Sequence, residues 1–537
     1  MADTKVEKIT IQGGDAKLGM TSEFTAVIEP DDATDKTLEW SISNGGEYAS
    51  IESSDGMICT VKGVKMGGPV TLTATAKDGS GVTGSIEFHV SADESIIPSE
   101  GWGDWKDPVE RKTFRVQMTD RTGSDYFDLM YTDDKGRTKS CISSMEIVGG
   151  PEEPFERVQL TIPKKRLYYI ASQLAEANGI LVGSTKIVLM GAMGRGVFTV
   201  TKCRYSGRKF VITAYCDAER FRGCTLEDSN ISGTPRSILC YLLSIRTSFG
   251  VQVAYLDIDS AVVTTSEYKG YISFDKGANI WYILQVCAML MGCRIWFADD
   301  TMHIRDCTRR VNNRAYEGAE TLDLYPDSET DPMYGRTVGE VDLGDEGSDT
   351  VVNSVTIRCR LVDEKGEASS RTYSVGPYYE DGGTKEDSAS VSKFGERTET
   401  FSIPELTCTL KMESGESILE SESAEAFAVN YIRYLKEPQQ SITFQLKEVQ
   451  ETENGASFEW LPYFDEPSML DELSDEPDEV YLTSESVCGE GRLPQKLMLS
   501  THDRSYPDCT TTYTFGMMKS ISLSDSTSRI MDALNKG

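Results

Sequence analysis

The chain has 537 residues, with 54 Lys and Arg against 86 Asp and Glu, a formal net charge of −32 at pH 7 and only three histidines. That carboxylate excess argues against a long basic nucleic-acid groove, which needs Lys and Arg in number, and it repels an anionic membrane surface. With 39% apolar, 9% aromatic and 26% charged residues the composition is that of a folded chain, and the length suits roughly two to four domains.

Residues 1–92 read as short alternating strands divided by Gly, Asp, Asn and Pro clusters, among them Lys8–Gln12, Ser22–Pro30, Thr37–Ser43, Met57–Gly63, Val70–Asp78 and Gly84–Val90. Strands at that spacing with one central Trp predict an immunoglobulin-like β-sandwich. The residues Pro30-Asp31-Asp32-Ala33-Thr34, then Leu38-Glu39-Trp40-Ser41, then Val70–Ala76 and Asp78-Gly79-Ser80 resemble, in order, the bacterial immunoglobulin-like group 2 (BIG2) domain. The resemblance implies that Trp40 and Leu72 fill the space between sheets and that Asp78-Gly79 turns a hairpin. Such domains are carried by bacterial surface adhesins and phage virion proteins.

Residues 93–110 form a predicted linker ending in Gly-Trp-Gly-Asp-Trp-Lys-Asp-Pro, whose Trp102 and Trp105 either dock it or anchor a partner. From 111 to 230 the pattern is again β-rich, with strands expected at 113–118, 144–148, 157–162, 186–190, 196–204 and 209–215. A helix is expected from Leu167 to Asn178, with Gly179 as its stop. This is a barrel or sandwich with one helix attached. In 231–310 a helix starts at Thr234-Pro235, Thr as N-cap and Pro at the first helical position. The apolar run Ala278–Ala298 is long enough to span a bilayer, but Gly292 divides it, so the reading is a buried helix to about Met291 and then a hairpin turning at Asp299-Asp300. Residues 311–350 form an acidic connector, expected to be surface loop. Residues 351–450 are β-rich and include a helix from about Ser421 to Lys436, acidic at its start and basic at its end, as the helix dipole favours. Residues 451–537 are an acidic C-terminal segment with a terminal strand near 511–516 and a short helix near 521–525.

No catalytic constellation emerges. His89, His303 and His502 sit in no local nucleophile signature and read as structural residues. Met193–Gly196 lacks the spacing and lysine of a phosphate loop. The run Asp465–Glu479 lacks the EF-hand glycine pattern and reads as a solvated acidic loop. The 13 cysteines show no CxxC pair or zinc spacing. With no secretory signal after Met-Ala-Asp-Thr-Lys, they are expected to be reduced thiols in a protein made in a bacterial cytoplasm. The site expectation is therefore empty: no catalytic, cofactor-binding or metal residues, no cofactor, not an enzyme, no membrane insertion.

The succession of elements carries a second resemblance. Val158–Pro163, Ile187–Leu189, Gly196–Val200, Val211–Ala214, the helix start Thr234–Leu239, Ile280–Leu284, Gly292–Phe297 and Met302–Arg305 follow one another as in the tail hub proteins of tailed phages and contractile injection systems. Asn353–Ile357, Asp387–Arg397 and the helix Ala424–Leu435 with Pro438 and Ser441–Phe444 are similar to that family's second barrel. The resemblance implies a mainly β fold with attached helices: a BIG2 sandwich, then a two-barrel hub body with barrels at 111–230 and 351–450, closed by 451–537. It further implies a structural virion protein of a phage tail tip or baseplate, a trimeric ring joining the tail tube to the tip. The implied partners are other copies of the chain, a distal tail or tube protein, a tape-measure protein and a tip, spike or receptor-binding protein. DNA would pass through unbound during ejection, and the sandwich would face outward toward protein or cell-surface carbohydrate. The rival readings are a bacterial surface adhesin and a tail-associated cell-wall hydrolase. Charge is uneven: residues 151–310 hold 20 basic and 15 acidic residues, and 311–537 hold 19 and 45. A carboxylate-lined bore that repels phosphate is the resulting expectation.

Overall fold

The computed structural model describes residues 4–92, most of 114–305 and 329–451, and the short stretches 321–322, 458–460, 481–482 and 499–515. The expected linker with Trp102 and Trp105, the turns at 192–195 and 299–300, the acidic run Asp465–Glu479 and the short helix near 521–525 lie outside these residues.

The N-terminal unit is a sandwich of two four-stranded sheets. One runs Lys8–Gln12, Thr21–Glu29, Ile58–Gly63, Ala49–Asp55 and the other Ala16–Lys17, Thr83–Ser91, Gly67–Ala76, Leu38–Asn44. Period-2 patterning explains it: Val70, Leu72, Ala74 and Ala76 point inward along one strand. Phe24 and Phe88 meet between the sheets with ring centroids 4.7 Å apart. Each such fully buried side chain contributes about 1.5–3 kcal/mol relative to exposure. Trp40 buries its ring and donates its indole N–H to the Gly56 carbonyl at 3.1 Å. At the hairpin turn the Asp78 carboxylate accepts from the backbone N–H groups of Ser80 and Val6. Hydrogen bonding, foremost with Ser80, holds its pKa below the ordinary range.

The body is woven from strands far apart in the chain. Eleven of them follow one path: Tyr126–Asp128, Phe114–Thr119, Lys186–Gly191, Gly196–Ser206, Lys209–Cys216, Glu153–Pro163, Ser144–Gly150, Leu499–Tyr506, Thr510–Phe515, Gln440–Lys447 and Thr337–Asp345. Strands 499–506 and 510–515 therefore bridge the two β-rich halves, with Met145 opposite Tyr506 and Ile442 opposite Phe515. Part of the stretch expected to be a loop between 311 and 350 is an edge strand, Thr337–Asp345, paired antiparallel with 440–447. Its alternation was obscured because the register shifts between Val338 and Asp342, around Gly339 at φ 78°.

The helices fill the second core. Pro235–Ser244 starts on Thr234, whose hydroxyl accepts from the Ser237 N–H. Ile280–Leu290 is apolar on nearly every side and buried throughout except at Gln285, as a central helix must be. It ends at Gly292, φ 72°, as the sequence indicated. Among the described residues no helix is long and apolar enough to cross a membrane. The helix Glu422–Leu435 packs beside it. From this helix Asn430, 1% exposed, donates to the Met289 carbonyl at 2.8 Å, and the Tyr434 hydroxyl donates to Gly292. These bonds fasten the C-terminal turn of the central helix to its neighbour. A three-stranded sheet, Ser354–Val362 with Ala368–Tyr378 and Thr398–Ser402, covers the same core. The helix expected from Leu167 begins earlier, as a turn at Lys164–Leu167 continued by a 3-10 turn at Tyr168–Ile170. Pro163 sets this start, since proline is tolerated there but not inside a helix.

Candidate interaction surfaces

The three histidines occupy three separate settings. His303, 3% exposed, stacks on Trp296 at 4.9 Å within the hairpin Arg294–Ala298/Thr301–Arg305. His502 lies 3.7 Å from the Glu156 carboxylate, both nearly buried. His89 stacks on Tyr271. The eleven described cysteines are free thiols. Burial pushes Cys59 and Cys141 up to about 11 and Cys359 to about 12, so these thiols hold their protons and are poor nucleophiles. Among the described residues no cluster of three or more His, Cys, Asp or Glu side chains is placed to hold a metal ion. Surfaces and junctions are what the structure offers instead.

The first junction ties the sandwich to the body. Asp15 accepts from the His89 backbone N–H at 2.8 Å with one oxygen and from the Tyr271 hydroxyl at 3.1 Å with the other. The His89 and Tyr271 rings stack 3.9 Å apart. Burial lowers the His89 pKa against the opposing pull of Asp15 and Glu87. The Ala92 N–H donates to Ser237 at 2.8 Å, joining the end of the sandwich to the first turn of a body helix. Met66 and Ala92 enter the body's apolar core. The opposite end of the sandwich leaves Val27, Met57 and Ile58 about 40% exposed.

The second feature is the two-faced character of the long sheet. On six adjoining strands burial largely alternates, broken where Thr161 and Thr510 on the polar side are also buried. Met145, Ile147, Val158, Leu160, Ile212, Ala214, Phe444 and Tyr513 are buried on one side, while Ser144, Glu146, Gln159, Thr213, Asp503, Ser505, Thr512 and Gln445 are partly exposed on the other. The polar side holds a groove of about 260 Å³ spanning the join between the halves, lined by Glu146, Gln159, Thr161, Gln445, Asp503, Ser505 and Thr512 among others. Arg157 pairs with Glu146 at 2.7 Å. Burial, assisted by the Glu146 charge, pushes Asp503 up to about 6. On the apolar side of the same join Gly149 faces Glu156 and His502. A Cβ there would sit 3.2 Å from the Glu156 Cγ and 3.3 Å from the His502 ring.

Sequence reading found none of Asp15, Tyr271, Glu156, Asp503 or Glu146 as site residues. Each acquires its role through a partner distant in the chain, and no local motif marks it.

Residues 15–86 match the bacterial Ig-like domain (group 2) family. The N-terminal sandwich is such an Ig-like domain. In the same region the chain is 40% identical over 88 residues to a 3-O-α-D-galactosyl-α-L-arabinofuranosidase of Bifidobacterium longum subsp. longum. That match spans 16% of this chain and 7% of the enzyme, so it concerns the Ig-like domain alone. Solved structures similar to the chain include a tail protein from Neisseria meningitidis MC58, with TM-score 0.38, 13% identity, and coverage of 77% of this chain and 99% of that one. Another is the 43 kDa tail protein of prophage MuSo2 from Shewanella oneidensis, with TM-score 0.39, 9% identity, and coverage of 75% and 98%. A Francisella PdpA-VgrG complex matches with TM-score 0.33, 9% identity, and coverage of 75% and 58%.

Proposed function

We propose that this chain is a structural subunit of a phage tail tip or baseplate, not an enzyme, in which copies close a hub ring around a channel for DNA and the Ig-like domain is held outward. The observation that carries the reading is the single sheet shared by both halves of the body. It keeps its apolar side on the protein's own core and offers a largely polar side interrupted by Val148, Val211, Tyr215 and Val338. Among the described strands, its two end strands, Tyr126–Asp128 and Thr337–Asp345, each have one neighbour. An end strand is a place where another chain can add its own strand, and a head-to-tail contact between unlike edges closes into a ring when the rotation permits. A polar side turned inward suits a water-filled bore. The hub resemblance sets the expected number of copies at three and the expected neighbours as tube, tape-measure and spike proteins.

On this reading the bore is not carboxylate-lined. That side carries Asp128, Glu146, Asp342 and Asp503 alongside Arg157, Lys186, Lys202, Arg204 and Lys447, with Ser, Thr and Gln and the apolar Val148, Val211, Tyr215 and Val338 between them. The expectation drawn from bulk charge is therefore withdrawn for this surface. The Ig-like domain, fixed by Asp15, His89 and Tyr271, presents its far end with Val27, Met57 and Ile58 to neighbouring tail proteins or surface carbohydrate.

Negative-stain electron microscopy and mass measurement of the full chain, alone and with its candidate tube and distal tail partners, test the proposal. Rings with a central opening are expected. A monomer under every one of those conditions overturns it, as does degradation of peptidoglycan by the purified chain.

A further inference from the structure

One end of the first β unit departs from the acidity of the rest. The hairpin joining Gly196–Ser206 to Lys209–Cys216 places Lys202, Arg204, Arg208 and Lys209 together. Pro163 pairs with Lys209, and the Lys164 N–H donates to the Arg208 carbonyl at 2.8 Å, so the turn carrying Lys164 and Lys165 lies against the hairpin tip. All six cations are exposed, and none is ion-paired to a described carboxylate. Three exposed aromatic side chains lie at the same end: Tyr205, 68% exposed, faces the other side of the hairpin from Arg204 and Lys209, beside Phe210, while Tyr168 and Tyr169, 72% and 50% exposed, continue the turn after Lys165, Tyr169 stacked on Tyr131 at 4.3 Å. In a chain of net charge −32, where neighbouring carboxylates are plentiful, six cations left without them repel one another and favour an external polyanion. Tyr168 and Tyr205, exposed at this end of the unit, add flat surfaces on which bases stack.

We infer that this basic and aromatic end binds the phosphate backbone of nucleic acid. Lys202, Arg204 and Lys209 occupy the polar side of the long sheet, so in the ring proposed above they would stand at one mouth of the bore. That placement rests on the ring reading, whereas the affinity for phosphate does not. A mixed, mostly neutral bore with cations at one mouth would catch DNA on entry without retaining it along the length.

The test is fluorescence anisotropy of the full chain with a labelled 30-nucleotide DNA, single-stranded and duplex. Binding at 50 mM salt is expected to weaken at least tenfold at 200 mM, as release of counterions from several phosphates requires. The double variant Arg204→Glu with Lys209→Glu should lose at least tenfold in affinity at unchanged thermal unfolding. The milder Arg204→Gln with Lys209→Gln should lose less, and Lys8→Glu with Lys62→Glu in the Ig-like domain should lose nothing. No binding at 50 mM salt overturns the inference, and so does binding indifferent to the Arg204 and Lys209 variants. Polyglutamate of matched charge bound more tightly than either DNA assigns the surface to an acidic protein and overturns the nucleic-acid reading. Mass measurement on the same sample separates the two proposals. A monomer that binds DNA upholds the basic end without the ring, and a ring that ignores DNA sinks the basic end alone.

Discussion

In the Ig-like domain the widest strand pairing joins Ala16 to Val90, whereas in the body Met145 pairs with Tyr506. Both regions are mainly β and both alternate apolar and polar residues, yet the first completes its sheets within one short stretch of chain. The second needs residues near both ends of its sequence in place at once. The difference teaches where stability is local and where it is held in common. A lesion in the sandwich stays there, while one in the shared sheet is felt on both sides of the join.

The strongest way to break that contrast is truncation after residue 498, which removes the strands lying between Ser144–Gly150 and Gln440–Lys447. The body is expected to lose its cooperative thermal transition altogether while the Ig-like domain keeps its own, as calorimetry and limited proteolysis would show. A body that still melts cooperatively would mean the bridging strands are dispensable. Next come Phe24→Ala in the sandwich and Tyr431→Ala in the body, both at fully buried positions. Each should cost about 3–5 kcal/mol and lower only its own transition. If either substitution moves both transitions equally, the regions are one cooperative unit and the contrast fails.

A smaller effect is expected at the contact between the regions. Tyr271→Ala removes both the ring stack on His89 and the hydroxyl bond to Asp15, weakening docking by about 1–2 kcal/mol. Hydrogen exchange at Met66 and around 88–92 should quicken while the Phe24 region stays protected; unchanged exchange would show that the apolar contacts suffice. The smallest effect is at Asp503. Its carboxyl is raised from 3.8 to about 6 by burial, so between those values the folded chain keeps a proton that the unfolded chain has released. The stability tied to this group is therefore full below about pH 4 and is lost as pH rises through 6. Asp503→Asn should leave the body unchanged at pH 4 and stabilise it by about 1 kcal/mol at pH 7.5 after allowance for partial exposure. Melting temperatures across that range decide it, and a variant less stable at pH 7.5 would contradict the assignment.

Much of the local structure was legible because its causes are local. Thr234 caps a helix through its side chain and Ser421 starts another, Gly292 ends one, and the strand runs of the sandwich lie where alternation placed them. Thr337–Asp345 was not legible, because a register shift broke its alternation and its acidity suggested a loop. The order of strands across the body was not legible either. Alternation shows which face of 499–506 is buried but not which strand it will meet. The surfaces failed to show for the same reason: Asp15 and Tyr271 meet only after folding, and the net charge of −32 concealed a basic end assembled from two separated segments.

The placement of the strands at 499–506 and 510–515 also sets a schedule for biosynthesis. The strand 144–150 leaves the ribosome roughly 350 residues before its neighbour 499–506 is made, an interval of about 20–70 s at about 5–20 residues per second. The Ig-like domain can mature early in that interval. The nascent body meanwhile carries an incomplete sheet with apolar positions such as Met145 and Ile147 on a strand awaiting one neighbour. Crowding of several nascent chains on one message would therefore favour premature association, and slow translation of the middle of the gene would lengthen the exposure.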